Sequence, residues 1–376
     1  MDFKNLKRQY TRLKTEIDSA IADVVVGGIF IGGEAVKDFE RQLFEYVGVK
    51  NAISCANGSD ALVLALMALG VSKGDAVFVP DFTYIASATA VNWVGATPVF
   101  VDIEASTFNI SPKDLKEKVE GVITEGKLQP KAVITVDLFG IVADYDEISK
   151  VANSYDLRVV EDAAQAFGAS KAGKQACSFG DIATTSFFPV KPLGCYGDGG
   201  AVFTNNDKYA EAIRSIKRHG ASKTSKYDNV VLGMNSRLDT LQAAILSEKL
   251  KILDNERSMM ADIASRYVQE IGNAVVCPTV PTDCESAWAQ YTILLKDETE
   301  RNAIQAKFEE NHIPAMVYYP KPLHKQEVFG CESYCPISED LSHRVLSLPH
   351  SPYMSEDDIM RVCRCINEFF GNPHEK

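Results

Sequence analysis

The chain has 376 residues, 46% hydrophobic and 24% charged, a globular composition that excludes a disordered or collagen-like protein. Its 51 acidic against 39 basic residues leave a net charge of −12, which repels phosphate backbones and argues against nucleic-acid binding, although a locally positive pocket remains compatible with it. No run reaches the ~18 apolar residues of a membrane span, and the charged start MDFKNLKRQYTRLKTEID lacks a signal-peptide core. Nine scattered cysteines fit a reducing cytoplasm better than a disulfide framework.

At roughly 150 residues per domain, the length predicts two to three domains. In chain order, residues 34–47 and 59–69 read as an amphipathic and a buried helix. Short β-branched runs follow at AVFVP (76–80), TPVFVDI (97–103), KAVITVDL (131–138) and LRVVEDA (157–163), with helical segments near 84–94, 112–121 and 145–154. Strand and helix alternating at this spacing predict an α/β fold with a largely parallel sheet. Ligands of such sheets sit beyond the carboxyl ends of the strands, here near Asp81, Asp137 and Asp162. Past residue 200 the pattern changes. Residues 238–271 read as one long helix, then 290–296 as a strand, 299–311 as a helix, 314–318 as a strand and 355–370 as a final helix. PTVPTDCES (278–286) is the most linker-like stretch.

Chemistry concentrates in TTSFFPVKPLGCYGDGGAVFTN (184–205), where Lys191 sits in apolar, Gly-rich sequence. Burial lowers a lysine pKa, and a neutral amine is a nucleophile suited to forming a Schiff base. A phosphate-clamping or structural lysine fits the same composition. Asp162, at the end of LRVVED, is either a helix cap or a carboxylate that pairs with a protonated ring nitrogen. Ala56-Asn57-Gly58-Ser59-Asp60 opens a helix and offers free N–H groups to a phosphate, or simply caps the helix. Tyr84 is placed either in the core or against a planar cofactor. Asn235 and Arg237 are suited to anions or to capping. The pairs Cys331/Cys335 and Cys363/Cys365 have loose spacings for zinc, so no metal is expected.

Together these segments resemble the DegT/DnrJ/EryC1/StrS family of pyridoxal phosphate (PLP)-dependent sugar aminotransferases. The likeness runs from Gly32-Gly33-Glu34 through NGSDAL (57–62), DFTYIASA (81–88), GATPVFVDI (95–103), EDAAQAFGA (161–169), SFFPVKPLGCYGDGGA (186–201), RHG (218–220) and NSRLDTLQAA (235–244) to YYPKPLH (318–324) and SLPHSPY (347–353). It implies a fold-type I architecture with a large PLP-binding domain over 1–250 and a small C-terminal α+β domain over 251–376. Lys191 is then the Schiff-base lysine and proton shuttle, and Asp162 the partner of the pyridine nitrogen. Gln165 contacts the ring oxygen or stacks near the ring, and Tyr84 stacks on it. Gly58, Ser59, Asp60 and Ser186 hold the phosphate, which Asn235 reaches from the other subunit of a cytoplasmic homodimer. L-glutamate is the implied donor.

Within the family the motifs are most similar to enzymes that aminate UDP-2-acetamido-2-deoxy-3-oxo-glucuronate for bacterial surface polysaccharides such as O-antigen. Arg237, His219 and Arg218 would answer the substrate's carboxylate and diphosphate, and Tyr318, Tyr319 and His324 would line or neighbour the sugar pocket. Tyr318 stands where many relatives have His, and Asp137 where they often have His or Ser. Alternatives are the same reaction on another keto-sugar, such as a 4-keto-6-deoxy dTDP- or UDP-sugar or GDP-4-keto-6-deoxymannose, and a non-catalytic regulatory relative. The latter predicts loss of Lys191 or Asp162, and both are present. A sugar-dehydratase branch carries His in place of the lysine. A Rossmann-type enzyme needs G-x-G-x-x-G after its first strand, whereas these glycines come late and follow a lysine.

Overall fold

The computed structural model describes residues 1–331 and 333–371. Its strands are β1 (Asn51–Cys55), β2 (Asp75–Pro80), β3 (Thr97–Val101), β4 (Gln129–Val136), β5 (Arg158–Asp162), a small hairpin of β6 (Ser170–Lys171) and β7 (Lys174–Gln175), then β8 (Ile182–Ser186) and β9 (Gly200–Thr204). Seven of these form one sheet in the order β1-β9-β8-β5-β4-β2-β3. Strands β3, β2, β4, β5 and β8 pair in parallel, while β9 runs antiparallel to both β8 and β1.

Side chains alternate across each strand, and here both faces are apolar. Phe78, Val133, Val159 and Phe203 point into one core, packed by residues of the helices Gly33–Val47 and Pro112–Glu125. Val79, Ile134, Val160 and Val202 point into the other, packed by Gly58–Ala68, Ala86–Trp93 and Asp207–Ile216. Burial on both faces is why these strands read as continuous apolar runs rather than alternating ones.

Downstream, β10 (Cys284–Glu285) pairs with β6, so the stretch that looked like a linker is tied to the main body. β11 (Tyr291–Leu294) and β12 (Val345–Leu348) pair antiparallel. With the helices Leu253–Ile271, Glu298–Glu310 and Glu356–Phe369 they enclose a third core around Tyr267, Tyr291, Phe308 and Val362. Two expectations fail here. The long helix is two, Thr240–Leu250 and Leu253–Ile271, because Ile252 tightens the turn by donating to the Lys249 carbonyl. The strand at 314–318 reduces to a single bridge between Met316 and Ser347, since Pro314 and Pro320 bound it and offer no donor.

The N-terminal helices Leu6–Arg12 and Lys14–Gly27 carried no periodic signal strong enough to read. The first ties the start of the chain to its C-terminal region: the Asn5 N–H donates to Ser351 Oγ at 3.3 Å, and Arg8 donates to the Tyr353 carbonyl at 2.9 Å. No helix among the described residues is long and apolar enough to cross a membrane.

Candidate active site

The carboxyl ends of β2, β4, β5 and β8 converge, and each delivers a polar side chain. At the end of β5, Asp162 is only 5% exposed. Its Oδ2 accepts the Ser87 hydroxyl at 2.9 Å and its Oδ1 the Ala164 N–H at 3.2 Å. Burial pushes this carboxyl above its ordinary pKa, while those two donors and the charge of Lys191 pull the other way.

Lys191 comes from the loop between β8 and β9, with its own N–H on the Phe188 carbonyl at 2.8 Å. Burial lowers its pKa and the Asp162 charge opposes that shift. The loop needs glycine at 194, where a Cβ would lie 2.2 Å from the Pro189 carbonyl oxygen. A largely desolvated amine therefore faces a buried carboxylate across the end of the sheet, the setting for a nucleophile and an ion-pair partner.

A second feature is the start of the helix Gly58–Ala68. Asn57 caps it by accepting the Asp60 N–H at 2.8 Å. The Ser236 hydroxyl accepts the Ala56 N–H at 3.1 Å and fixes the approach. Gly58 touches the end of β8 so closely that a Cβ would fall 2.6 Å from Ser186 Cβ. The leading N–H groups of Gly58 and Ser59 and the positive end of the helix thus sit beside the Ser186 hydroxyl. This donor set and cradle fit a phosphate monoester.

Aromatic rings stand beside these groups. Tyr84 is 58% exposed, and its ring centroid lies 6.4 Å from that of Tyr319. The Tyr319 hydroxyl accepts from Gln165 Nε2 at 3.0 Å, and Gln165 Oε1 accepts the Phe139 N–H at 3.0 Å. Gln165 therefore joins the ends of β4 and β5 to the Tyr318–Tyr319 segment. Arg218, His219, Asn235 and Arg237 lie solvent-facing on one ribbon, where Arg218 bridges Asn235 and the His219 N–H donates to the Met234 carbonyl.

One expected sugar contact is corrected. His324 is 3% exposed, with Nδ1 2.6 Å from Asp81 Oδ2 and Nε2 3.1 Å from Glu339 Oε1, so neither ring nitrogen is left for a sugar. Its N–H also donates to Asp81, making it a clasp between the end of β2 and the C-terminal part. The four paired cysteines do not converge, since Cys335 belongs to one face of the main sheet and Cys363 and Cys365 to the third core. Ser87 and Ser236 were missed. A hydroxyl's partner 75 residues away, as for Ser87 and Asp162, leaves no local sequence signal.

Asp137, unexplained by sequence, is fully buried. Its Oδ1 accepts the Ala143 N–H and the Tyr145 hydroxyl, and its Oδ2 has no protein donor. The neighbouring Glu161 takes the N–H groups of Cys177 at 2.6 Å and Phe179 at 2.7 Å. Asp137 and Glu161 act on one another's titration, and two buried acceptors side by side favour a proton held between them. Burial lifts both: Asp137 up to about 7, and Glu161, with the Asp137 charge adding, well above the carboxylate range. The folded state thus keeps protons that the unfolded chain releases near pH ~4, and stability falls as pH rises through about 7. Asp162 shifts in the same sense and Lys4, lowered to about 7 by burial, in the opposite one. We expect Asp137→Asn to flatten the decline of Tm between about pH 5 and pH 8, because an amide gives Glu161 a permanent donor. Calorimetric Tm against pH checks this; parallel curves for the two proteins would refute the shared proton.

A sheet of this order with a desolvated lysine opposite a buried aspartate and a helix N-terminus for a phosphate defines a fold-type I aminotransferase that uses pyridoxal 5′-phosphate. The chain belongs to the DegT/DnrJ/EryC1/StrS aminotransferase family, whose model matches residues 11–367. It is 43% identical over 370 residues to the UDP-2-acetamido-2-deoxy-3-oxo-D-glucuronate aminotransferase of Pseudomonas aeruginosa, covering 97% of this chain and 99% of that one. A crystal structure of a family member from Brucella abortus superposes with a TM-score of 0.96 at 44% identity, over 99% of this chain and 100% of that one. NtdA from Bacillus subtilis, solved with bound cofactor PMP, superposes at 0.87 with 29% identity, over 95% of this chain and 82% of that one.

Proposed function

We propose that the enzyme moves the amino group of L-glutamate to the 3-keto group of UDP-2-acetamido-2-deoxy-3-oxo-D-glucuronate. The products are the 3-amino sugar and 2-oxoglutarate, and the amino sugar feeds bacterial surface polysaccharide (O-antigen) assembly from the cytoplasm. The observation that carries the choice of substrate is the near-full-length likeness to the Pseudomonas aeruginosa enzyme.

Bound at this site, pyridoxal phosphate supplies a carbonyl carbon that takes up the amine and a conjugated ring that accepts an electron pair. The residues have separable tasks. The first-turn N–H groups of Gly58 and Ser59 with the Ser186 hydroxyl would bind the phosphate, the Asp60 N–H being taken by the Asn57 cap, and Asn235 would reach the phosphate of a second copy. Tyr84 would stack on the ring, and Gln165, fixed by Phe139 and Tyr319, would meet its edge. Asp162, held by Ser87 and Ala164, would favour the protonated ring nitrogen. Burial lowers the Lys191 pKa and so favours its free amine; the residue would serve first as nucleophile and then carry the proton to and from the carbon bearing the amine. Arg237, His219 and Arg218 meet the substrate's anionic groups, and Tyr318 and Tyr319 line the sugar.

A homodimer is supported by large apolar side chains left in solvent: Val26 at 89%, and Tyr227 at 83% and Leu232 at 84% exposure in the segment that leads to Asn235. We expect product masses from a panel of UDP-, dTDP- and GDP-keto-sugars with glutamate to show amination of the 3-keto-glucuronate at the highest rate. Faster turnover of a 4-keto-6-deoxy sugar would replace this substrate.

A further inference from the structure

A reactive amine is only as well aimed as the backbone that carries it. Between β8 and β9 the Lys191 loop closes on itself: Phe187 donates its N–H to the Gly199 carbonyl at 2.8 Å and accepts the Cys195 N–H at 2.8 Å. Gly194 lies against the carbonyl of Pro189, two residues before Lys191. The turn that bears the lysine therefore rests on residues 194–196. One helix, Thr240–Leu250, grips that stretch. Lys249 Nζ donates to the Gly194 carbonyl at 2.6 Å and lies 4.2 Å from the centroid of the Tyr196 ring. Gln242 holds the Tyr196 backbone at both ends, accepting its N–H at 2.8 Å and donating to its carbonyl at 3.3 Å. Positions 242 and 249 are about two helical turns apart and share one face.

Lys249 is the informative residue, because it is 2% exposed. Burying an ammonium is costly, and a lysine is almost never fully buried without a partner. Burial lowers its pKa to about 8, and the charge of Glu256 opposes that shift. Glu256 is itself held in place, by Gln9 Nε2 at 2.8 Å and by the Tyr353 hydroxyl. An apolar side chain would fill the same space at less cost but would leave the Gly194 carbonyl without this donor. A charge-assisted hydrogen bond to one carbonyl of the Lys191 loop is thus what the buried charge supplies. Both Lys249 and Gln242 act on backbone rather than on reacting atoms.

Resting on the assignment of Lys191 as the reactive amine, we propose that Lys249 and Gln242 are positioning residues for the reaction: by holding the backbone at 194–196 they keep the Lys191 amine aimed at the cofactor's carbonyl carbon. The full-length chain, freed of cofactor and then given pyridoxal phosphate, tests this. The amine links to the aldehyde with loss of water, a step read by absorbance and by borohydride trapping of the Lys191 peptide. Pyridoxine 5′-phosphate has the same ring and phosphate with an alcohol in place of the aldehyde, so its affinity reads the pocket without the lysine's chemistry. Lys249→Met keeps the side-chain length and loses the donor. It is expected to slow both linkage and kcat about tenfold, short of the ~10²-fold of a 1 Å misplacement, and to leave both KM values and pyridoxine 5′-phosphate affinity unchanged. Gln242→Ala, at a partly buried position, is expected to show the same pattern at several-fold, and it carries the test should Lys249→Met not fold. Wild-type linkage rates in the folded variants would overturn the proposal. So would a loss of pyridoxine 5′-phosphate affinity as large as the loss of rate, the mark of a merely deformed pocket. A wild type that traps no Lys191 peptide would overturn the lysine assignment itself, and this inference with it.

Discussion

Lys191→Ala is expected to lose transamination by on the order of 10⁴ or more, since one residue serves as both nucleophile and proton carrier. The structure explains why no neighbour substitutes for it. Its amine is desolvated beside Asp162, and burial lowers its pKa, which makes it more available as a free base than a surface lysine. Lys191→Arg sharpens the test, because a guanidinium keeps the charge near Asp162 yet stays protonated and cannot attack a carbonyl. Both variants are expected to fold, since the loop is held by Gly194 against Pro189 and by the Lys191 N–H on Phe188, none of which uses the side chain. The single-turnover reaction with glutamate, followed by cofactor absorbance, reads the loss directly. Small primary amines added to Lys191→Ala are expected to restore part of the rate, and Lys191→Arg leaves them no room. An unchanged rate in either variant would remove the lysine from the chemistry. Borohydride reduction of wild type should label the peptide that contains Lys191 and no other.

What the sequence made readable follows from where information is local. Strands β2, β4 and β5 are buried on both faces over most of their length, and the edge strand β3 over its last residues, so their runs were apolar enough to read with bounds close to the observed ones. β8 and β9, IATTS and GAVFT, lie within the same sheet but carry hydroxyls and glycine because they border the site, and their strand signal was weak. Lys191, Asp162 and the Asn57–Asp60 turn stood out because their neighbours are chemically unusual. The support beneath them did not. Ser87 on Asp162, Ser236 on Ala56 and Tyr319 on Gln165 join residues 75, 180 and 154 positions apart. The same non-locality misplaced His324. YYPKPLH reads as one segment, yet Tyr319 turns toward Gln165 while His324, five residues on, is drawn into a buried clasp with Asp81. Asp137 was visible as a departure from relatives, and its reason, a proton shared with Glu161, lies on the next strand.

Asp162→Asn is the second large effect, and its size tests whether the aspartate acts through charge or through shape. The amide is isosteric, and the carbonyl oxygen still accepts the Ala164 N–H, while the Ser87 hydroxyl can rotate to accept instead of donate. Packing is therefore kept and the charge alone is removed. A ring nitrogen without an anionic partner is less readily protonated, and kcat is expected to fall on the order of 10²–10³-fold, the range for removing one preorganised electrostatic partner. Lys191 loses the charge that raises its pKa, so that pKa falls further. The nucleophile is then no less available, and the loss must arise at the ring. Ser87→Ala is a graded version of the same experiment. It removes one donor from a carboxylate that burial already pushes up, so the Asp162 pKa rises further. The acid limb of kcat against pH should then move to higher pH while the plateau keeps most of its height. If Asp162→Asn retained near-normal kcat, or if Ser87→Ala lowered the plateau without moving the limb, the aspartate would be holding the pocket's shape rather than its charge.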